Sequence, residues 1–463
     1  MMEELFRLFQ EFGHQLYLVG GCVRDRLLGR ATDDLDLATD AVPDVTMQLL
    51  RDGGFRPYPL GMEFGTVAAA FETPAGHVDV QITTFRCSES YRKGSRHPEV
   101  VFGGSLEEDL ARRDFTVNAM AMDFHGRLID PLGGRGDLEK GLIRTPRDPV
   151  ETFTEDPLRM LRAFRFACIL GFSIEERTLE AISGKHSLIM DISRERWKME
   201  MDRLLSAPDP AGVCGALRLM RSSGLLEDLI PEFREVFAQE DQPQGRAHSG
   251  DIWEHTLSAM ASAPSESLCL RWSLLLHDIG KPYCRSVDDR GEPHFHGHEG
   301  RGAEIAEVIA DRFRFSKRER KCLVFMVRNH MRPVLYSRDW SDRAVRKLAL
   351  DAGDHLEELL DLAQADIRAH AEPFASEGTA GLSELRGRLL ELAPDAGRRV
   401  LPRELGAILM NRVGSDVAGT PQIGVILSGL EELVHQGVLP ELAAPEVYLE
   451  YLDQHPESIG RNC

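Results

Sequence analysis

The chain lacks any apolar run long enough to cross a bilayer, any surplus of basic residues and any closely paired cysteines, and each lack removes a class of protein. Lysine and arginine number 55 against 75 aspartate and glutamate, a net charge of −20. A uniformly basic coat for nucleic acid is thereby excluded, so any RNA or DNA must be held by local patches. The 8 cysteines (Cys22, Cys87, Cys168, Cys214, Cys269, Cys284, Cys322, Cys463) are scattered. Neither a zinc knuckle nor a disulfide framework is expected from them, and a reducing cytoplasm is the expected compartment. The first residues are acidic and amphipathic (Glu3, Glu4 and Glu11 among Leu5, Leu8, Phe9 and Phe12), without the basic start of a signal peptide. What remains is a globular composition, 42% hydrophobic and 28% charged over 463 residues, enough for several domains with their own cores.

Up to about Pro149, short apolar runs such as Leu16-Tyr17-Leu18-Val19 and Thr66-Val67-Ala68-Ala69-Ala70-Phe71 alternate with glycine turns, which predicts strands with a few helices. From Thr154 onward apolar residues recur every three or four positions (Leu158, Leu161, Phe166, Leu170), which predicts helix nearly throughout. The expected organisation is residues 1–150 as an α/β head, 151–240 as a helical neck and body, 241–373 as a further helical domain and 374–463 as a helical tail.

Four motifs carry chemistry. Val19-Gly20-Gly21-Cys22-Val23-Arg24 is a strand running into a Gly-Gly turn and a helix, where bare backbone amides, the helix N-terminus and Arg24 suit a phosphate; alone it reads more readily as a structural strand-to-helix turn. Asp34 and Asp36 stand two apart in a strand pattern and so face one way, placing both carboxylates on one or two Mg²⁺ ions. In Arg112-Arg113-Asp114-Phe115-Thr116-Val117-Asn118, Arg113 suits a triphosphate and Asp114 a ribose hydroxyl; a basic segment salt-bridged to Glu107, Glu108 and Asp109 is the other reading. Glu155, Asp156 and Arg159 can gather at a helix start, where carboxylate and guanidinium edges can hydrogen-bond a base.

Together with Asp130-Pro131-Leu132-Gly133-Gly134, these segments closely resemble the class II tRNA nucleotidyltransferases, the CCA-adding enzymes that share a polymerase-β-like head with bacterial poly(A) polymerases. The resemblance implies an α+β fold: a polymerase-β-like head with a mixed sheet, then an all-α neck, body and tail. It implies Asp34 and Asp36 on the catalytic Mg²⁺, and Gly20, Gly21 and Arg24 at the triphosphate. It further implies Asp114 and Asn118 at the ribose, and Glu155, Asp156 and Arg159 as an amino-acid template for CTP or ATP. Arg113 and Arg162 complete the expected nucleotide-binding set. Where relatives tend to carry Glu before Thr-Thr-Phe-Arg, this chain has Gln81, which cannot take up a proton; Asp79, on the same strand face, is the candidate third carboxylate, and water is the other acceptor. The segment from Arg86 to Leu106, polar over Ser90 to Pro98, is similar in length to the loop of relatives that add all of CCA, whereas relatives that add only the two C residues tend to have a shortened loop there.

A second series, His255, His277-Asp278 and Asp366, lies on helical stretches, as a divalent metal site in a helical bundle requires. With His277-Asp278-Ile279-Gly280-Lys281-Pro282, His298 and Asn329-His330 it resembles the HD phosphohydrolase superfamily. That resemblance implies His255, His277, Asp278 and Asp366 as ligands of a divalent metal. It also implies His298 and His330 as second-metal or phosphate ligands, Lys281 near a substrate phosphate, and action on 2′,3′-cyclic phosphates or phosphomonoesters. The most basic run (Arg312, Arg314, Lys317, Arg318, Arg320, Lys321, Arg328, Arg332, Arg338) is a candidate track for tRNA phosphates, and equally a solvated face. The part from Leu401 to Gly437, which contains Gly419 to Leu427, resembles the C-terminal helical segment of longer family members, with packing as its expected role and contact to the tRNA elbow as the other reading.

The expected protein is thus a cytoplasmic enzyme without membrane partners that builds or repairs the 3′-CCA end of tRNA from CTP and ATP, with an appended phosphohydrolase. The alternatives are an A-adding or CC-adding enzyme that needs a partner, a poly(A) polymerase, and an RNA-binding phosphohydrolase with an inactive head.

Overall fold

The computed structural model describes residues 2–31, 35–73, 76–91, 98–240, 242, 244–245, 250–264, 267–392, 401–402, 404–413, 426–427, 429–431, 433–434 and 438–455. In the head, strands β1 (Leu16–Val19), β2 (Leu35–Thr39), β3 (Arg56–Pro59), β4 (Thr66–Thr73) and β5 (Gly76–Thr84) precede the hairpin β6 (Arg86–Tyr91) and β7 (Pro98–Phe102). Two short strands follow, β8 (Ala121–Met122) and β9 (Leu128–Ile129). Seven of these form one sheet in the order β3-β4-β5-β2-β1-β8-β9. It is mixed: β2 and β5 run parallel and every other neighbouring pair antiparallel.

Alternation along the central strands decides which side is a core and which is a site. Leu37, Val67, Val80 and Ile82 are buried on one face under Leu5, Phe9, Leu49 and Leu50 from helices Met2–Glu11 and Pro43–Asp52. Asp36 and Gln81 take the opposite parity and share the face of Val19, Ala38 and Phe85. The register sets Asp36 directly beside Gln81, so the position on β5 next to Asp36 is an amide.

Helix follows, as the three-to-four spacing predicts, apart from two-residue strand pairs. The break between helices Pro149–Glu155 and Leu158–Leu170 lies at Asp156-Pro157. Proline lacks the N–H that would continue the ladder and drives its predecessor out of the α region, and Asp156 sits at φ −140°, ψ 96°. Leu158–Leu170 buries Leu161, Ala163 and Phe164 and stops at the left-handed Gly171. One continuous apolar cluster then runs from Val23 and Phe115 of the head through Trp197 to Trp253, Trp272 and Leu389. Truncating a buried aromatic such as Phe164 to alanine costs about 3–5 kcal/mol.

The second helical unit comprises Ile252–Ala261, Leu268–Leu276, His298–Arg312, Lys317–Asn329, Asp342–Ala352 and Leu356–Arg368, and Phe374–Leu392 joins its core through Leu382, Leu385 and Leu389. Leu405–Val413 and Pro445–Gln454 have a small separate core around Leu401, Leu405 and Tyr448. Against the expectation of isolated cysteines, Cys269 and Cys322 are joined in a disulfide across two helices of the bundle. Their separation of 53 residues leaves no local signature to read. No helix among the described residues is long and apolar enough to cross a membrane.

Candidate functional sites: a head cleft and a helical-bundle cluster

The first site is a cleft of about 310 Å³ between the sheet and the neck helix, lined by Asp36, Thr83, Arg86, Arg112, Arg113, Asp114, Asp156, Arg159 and Arg162 among others. Gly20 delivers its floor: at φ +75° it turns β1 into helix Gly21–Leu27, and a Cβ there would stand 2.8 Å from Arg113 Nη1. Only glycine permits that approach without displacing the guanidinium. Arg113 and Arg112 are both held by Asp109, buried to 1%, at 3.1 and 2.7 Å, and Asp109 also accepts the Arg86 amide. Two cations anchored on one buried carboxylate leave the wall positive overall.

Four of the expected contact residues are committed to one another: Arg24, Asn118, Asp114 and Arg162. Arg24 is turned inward, donating to Asp25 at 2.9 and 2.8 Å and to Asn118 Oδ1 at 2.7 Å. Asn118 donates to Asp114 Oδ1 at 3.0 Å, and Arg162 donates twice to Asp114 Oδ2. Burial opposes the charge of Asp114, but Arg162 and the Asn118 amide outweigh it and hold its pKa at about 2. Arg162 also faces the fully buried Glu200, which accepts from Arg165 at 2.6 Å. The chain of contacts fastens the Gly-Gly turn to the neck.

Of the trio expected to face a base, Asp156 and Arg159 line the cleft. Asp156 caps Leu158–Leu170 through the Leu158 amide and accepts from Arg196 at 3.2 Å. Arg159 Nη2 donates to the Arg112 carbonyl at 2.8 Å, while its buried Nη1 makes no hydrogen bond and lies 3.7 Å from Glu155. Glu155 ends the preceding helix, pairs with Arg147 at 2.6 Å and is not among the lining side chains, because the Asp156-Pro157 break sends it another way. Asp79 is exposed, accepts from the Tyr58 hydroxyl at 3.1 Å and is likewise not among those lining the cleft. Asp34, the loop residues 92–97 and the segment 414–425 lie outside the described residues. Of the basic run, Arg312, Arg320, Arg332 and Arg338 are ion-paired to Glu232, Asp311, Asp351 and Glu384, while Lys317, Lys321 and Arg328 share an exposed side of one helix.

The second site gathers side chains from separate helices of the bundle. His255 Nε2 stands 2.9 Å from Asp366 Oδ1 and 3.5 Å from Asp278 Oδ2. His277 Nε2 is 3.2 Å from Asp278 Oδ2, and Lys281 Nζ is 2.7 Å from the same oxygen. On the other side of Asp278, Oδ1 faces His298 at 3.4 Å and His330 at 3.9 Å. Asp278 thus belongs to two groups of ligand-type atoms, one with His255 and His277 and one with His298 and His330. His370 adds a ring 3.5 Å from Asp366. The sequence reading missed it, although its position four residues after Asp366 on a helix end was a usable signal. Gln244, which accepts from Lys281 at 2.8 Å, had no such signal.

These residues fit a divalent cation. His277, His298 and His330 each set Nδ1 against the main-chain oxygen three residues earlier, at 2.8, 2.8 and 2.7 Å. Each Nδ1–H thus donates to a carbonyl and turns Nε2 toward the cluster, the outer-shell arrangement of ligating imidazoles. The Nε2 atoms of His298 and His330 consequently face each other at 3.2 Å, and His277 Nε2 makes no hydrogen bond. Burial, reinforced by His277, holds the pKa of His330 down at about 3. Burial also opposes the charges of Asp278 and Asp366, yet His277 and Lys281 around the first and His255 and His277 around the second keep both well below the usual carboxylate range. The approach is a cavity of about 360 Å³ lined by Lys281, His298, His370 and Met331 among others.

Fold and site define a class that the comparisons with known proteins match segment by segment. A family model described as the poly A polymerase head domain matches residues 16–144, one described as the probable RNA and SrmB-binding site of polymerase A matches 171–237, and the HD domain matches 247–370. The chain thus carries a poly A polymerase head domain followed by an HD domain, and it is similar to CCA-adding enzymes in sequence and in fold. The CCA-adding enzyme of Geobacillus thermodenitrificans (strain NG80-2) is 39% identical over 286 residues, 61% of this chain and 64% of that relative, so the match spans less than two thirds of the relative's length. The crystal structure of the Bacillus stearothermophilus CCA-adding enzyme in complex with CTP is similar over 100% of this chain and 99% of its own, with 26% identity and a TM-score of 0.66. The Thermotoga maritima CCA-adding enzyme complexed with tRNA CCA shares the fold at 19% identity and a TM-score of 0.53, over 98% and 94% of the two chains.

Proposed function

We propose that this protein adds or repairs the 3′-terminal CCA of tRNA from CTP and ATP without a nucleic-acid template, and that its HD bundle hydrolyses 2′,3′-cyclic phosphates or phosphomonoesters. The observation that carries the first part is the pairing of Asp36 and Arg113 at the Gly20 end of the cleft with Asp156 and the unsatisfied Arg159 Nη1 on the neck side. A nucleoside triphosphate along this cleft has its phosphates against Gly20, Gly21 and Arg113, its ribose against Asp114 and its base against Asp156 and Arg159. A carboxylate acceptor and a guanidinium donor can read the edge of cytosine or adenine in place of a template base. Asp36, with Asp34 of the same motif, supplies the hard oxygen donors that suit Mg²⁺, which when bound neutralises phosphate charge and activates the attacking hydroxyl. The tRNA 3′-hydroxyl attacks the α-phosphorus and pyrophosphate leaves toward Arg113. Gln81 beside Asp36 cannot accept the proton, which goes to water.

For the second part, His255, His277, Asp278 and Asp366 would hold one divalent cation, and His298 and His330 would hold a second or a phosphate. Lys281, braced by Gln244, faces the cavity where a substrate phosphate would lie. Joined in one chain, hydrolysis of a terminal cyclic phosphate prepares the 3′-hydroxyl that the head extends. The proposed domain limits are those of the sequence reading: 1–150, 151–240, 241–373 and 374–463.

The test is gel-resolved extension of three labelled tRNAs, ending before CCA, after C and after CC, with CTP, ATP and both. Growth of all three to CCA supports the reading. Addition of A alone to the CC-ended tRNA would make it an A-adding partner enzyme, long A tails a poly(A) polymerase, and no incorporation would leave only the bundle active.

A further inference from the structure

The three helices that deliver His277, His330 and Asp366 carry a second layer of ligand-type side chains. Cys269 precedes His277, Cys322 precedes His330 and Glu358 precedes Asp366, each by eight residues. Eight helical residues rise about 12 Å, so the two layers are separate sites on one scaffold. His355, in the turn before Leu356–Arg368, completes the second layer. Cys322 Sγ lies 3.6 Å from His355 Nδ1 and 3.8 Å from Glu358 Oε2, and those two atoms are 3.5 Å apart. Cys269 Sγ is bonded to Cys322, and the ligand atoms of Cys269, Cys322 and Glu358 all fall within 4.8 Å of one another.

We propose that in the reduced protein Cys269, Cys322, His355 and Glu358 bind a divalent cation, with Zn²⁺ the ion of matching chemistry. Two thiolates, an imidazole and a carboxylate form a soft, four-coordinate donor set. At Zn–S of about 2.3 Å and Zn–N or Zn–O of about 2.0–2.2 Å, the corners of a tetrahedron stand about 3.3–3.8 Å apart. The three distances among Cys322, His355 and Glu358 match those edges without rearrangement. The second oxygen of Glu358 is held by the Ser267 hydroxyl, the helix cap next to Cys269, an outer-shell contact of the kind that orients a ligating carboxylate. Neither the head cleft nor the HD cluster uses any of these four residues.

The disulfide and the cation site are two states of the same sulfurs. A dithiol reductant breaks the Cys269–Cys322 bond, delivering two electrons and two protons to give two thiols, and itself closes to a cyclic disulfide. The cation then displaces the two thiol protons. The disulfide ties two of the three helices about 12 Å from their HD ligands, and the cation would tie all three.

Co²⁺ is the discriminating probe, because sulfur ligation produces a near-ultraviolet charge-transfer band that a site of only nitrogen and oxygen cannot. The full chain is reduced with dithiothreitol, stripped of reductant and metal without oxygen, assayed for free thiols and titrated with Co²⁺. The expected result is a thiolate band that Zn²⁺ abolishes, that is absent in Cys322→Ser and that persists in Asp278→Asn. His355→Gln, on a half-buried position that keeps the fold, should keep the band and weaken the affinity by about 10-fold or more, at least the loss that an outer-shell change produces. Absence of the band in the reduced protein, its persistence in Cys322→Ser, its loss in Asp278→Asn, unchanged affinity in His355→Gln, or failure of the two thiols to appear would each overturn the proposal.

Discussion

Arg162 of the neck helix donates to Asp114 of the head at 2.8 and 2.6 Å, so the residue expected at the ribose also ties the head to the neck. Its pKa of about 2 in the folded protein lies below the ~3.9 of an unfolded aspartate, so its contribution is complete above about pH 4 and is lost as pH falls toward 2.

Asp114→Asn should lower stability by about 2 kcal/mol, less than the 3–5 kcal/mol of a fully buried pair because the Arg162 side chain keeps 30% exposure. Between pH 4 and 2 the variant should lose stability less steeply than the parent protein. Denaturant midpoints at each pH check this, and parallel curves would remove Asp114 from the acid response.

Asp36→Ala should abolish nucleotide incorporation and spare phosphohydrolase activity, while Asp278→Ala should do the reverse. The two carboxylates belong to clefts that share no lining residue. Loss of both activities from either substitution, with the far-ultraviolet spectrum unchanged, refutes the two-site arrangement. Chelation should silence both.

Arg159→Ala should relax the choice between CTP and ATP by about 10- to 100-fold, the ~1–3 kcal/mol of a good base contact. Triphosphate affinity should change less, because Arg113 and its anchor Asp109 are untouched. Competition between the two nucleotides on a tRNA ending in C reads the ratio directly, and an unaltered ratio refutes the template role.

Gly280→Ala should cripple the HD cluster without touching the head. An added Cβ would stand 2.2 Å from the His298 carbonyl and 2.6 Å from the Gly302 amide, both backbone atoms that cannot swing aside. Helix His298–Arg312 must shift, and His298 with it. Full phosphohydrolase activity in this variant would exclude His298 from the site.

Local order in the chain determined the elements and the motif residues they carry. Period two placed Leu37 and Asp36 on opposite faces of one strand, and proline at 157 ended a helix whatever surrounded it. The same local rules made His277-Asp278 and Gly20-Gly21 legible, since neighbours in sequence are held together by covalent geometry alone. What the tertiary structure decided are contacts between residues far apart in sequence, for which a single sequence carries no period: Arg113 against Gly20, Arg162 on Asp114 and Glu200, Lys281 on Gln244, and Cys269 on Cys322. It also set the partners of the buried Arg24, which are Asp25 and Asn118, because a buried charge goes where a partner can satisfy it, and only packing reveals which partner is in reach.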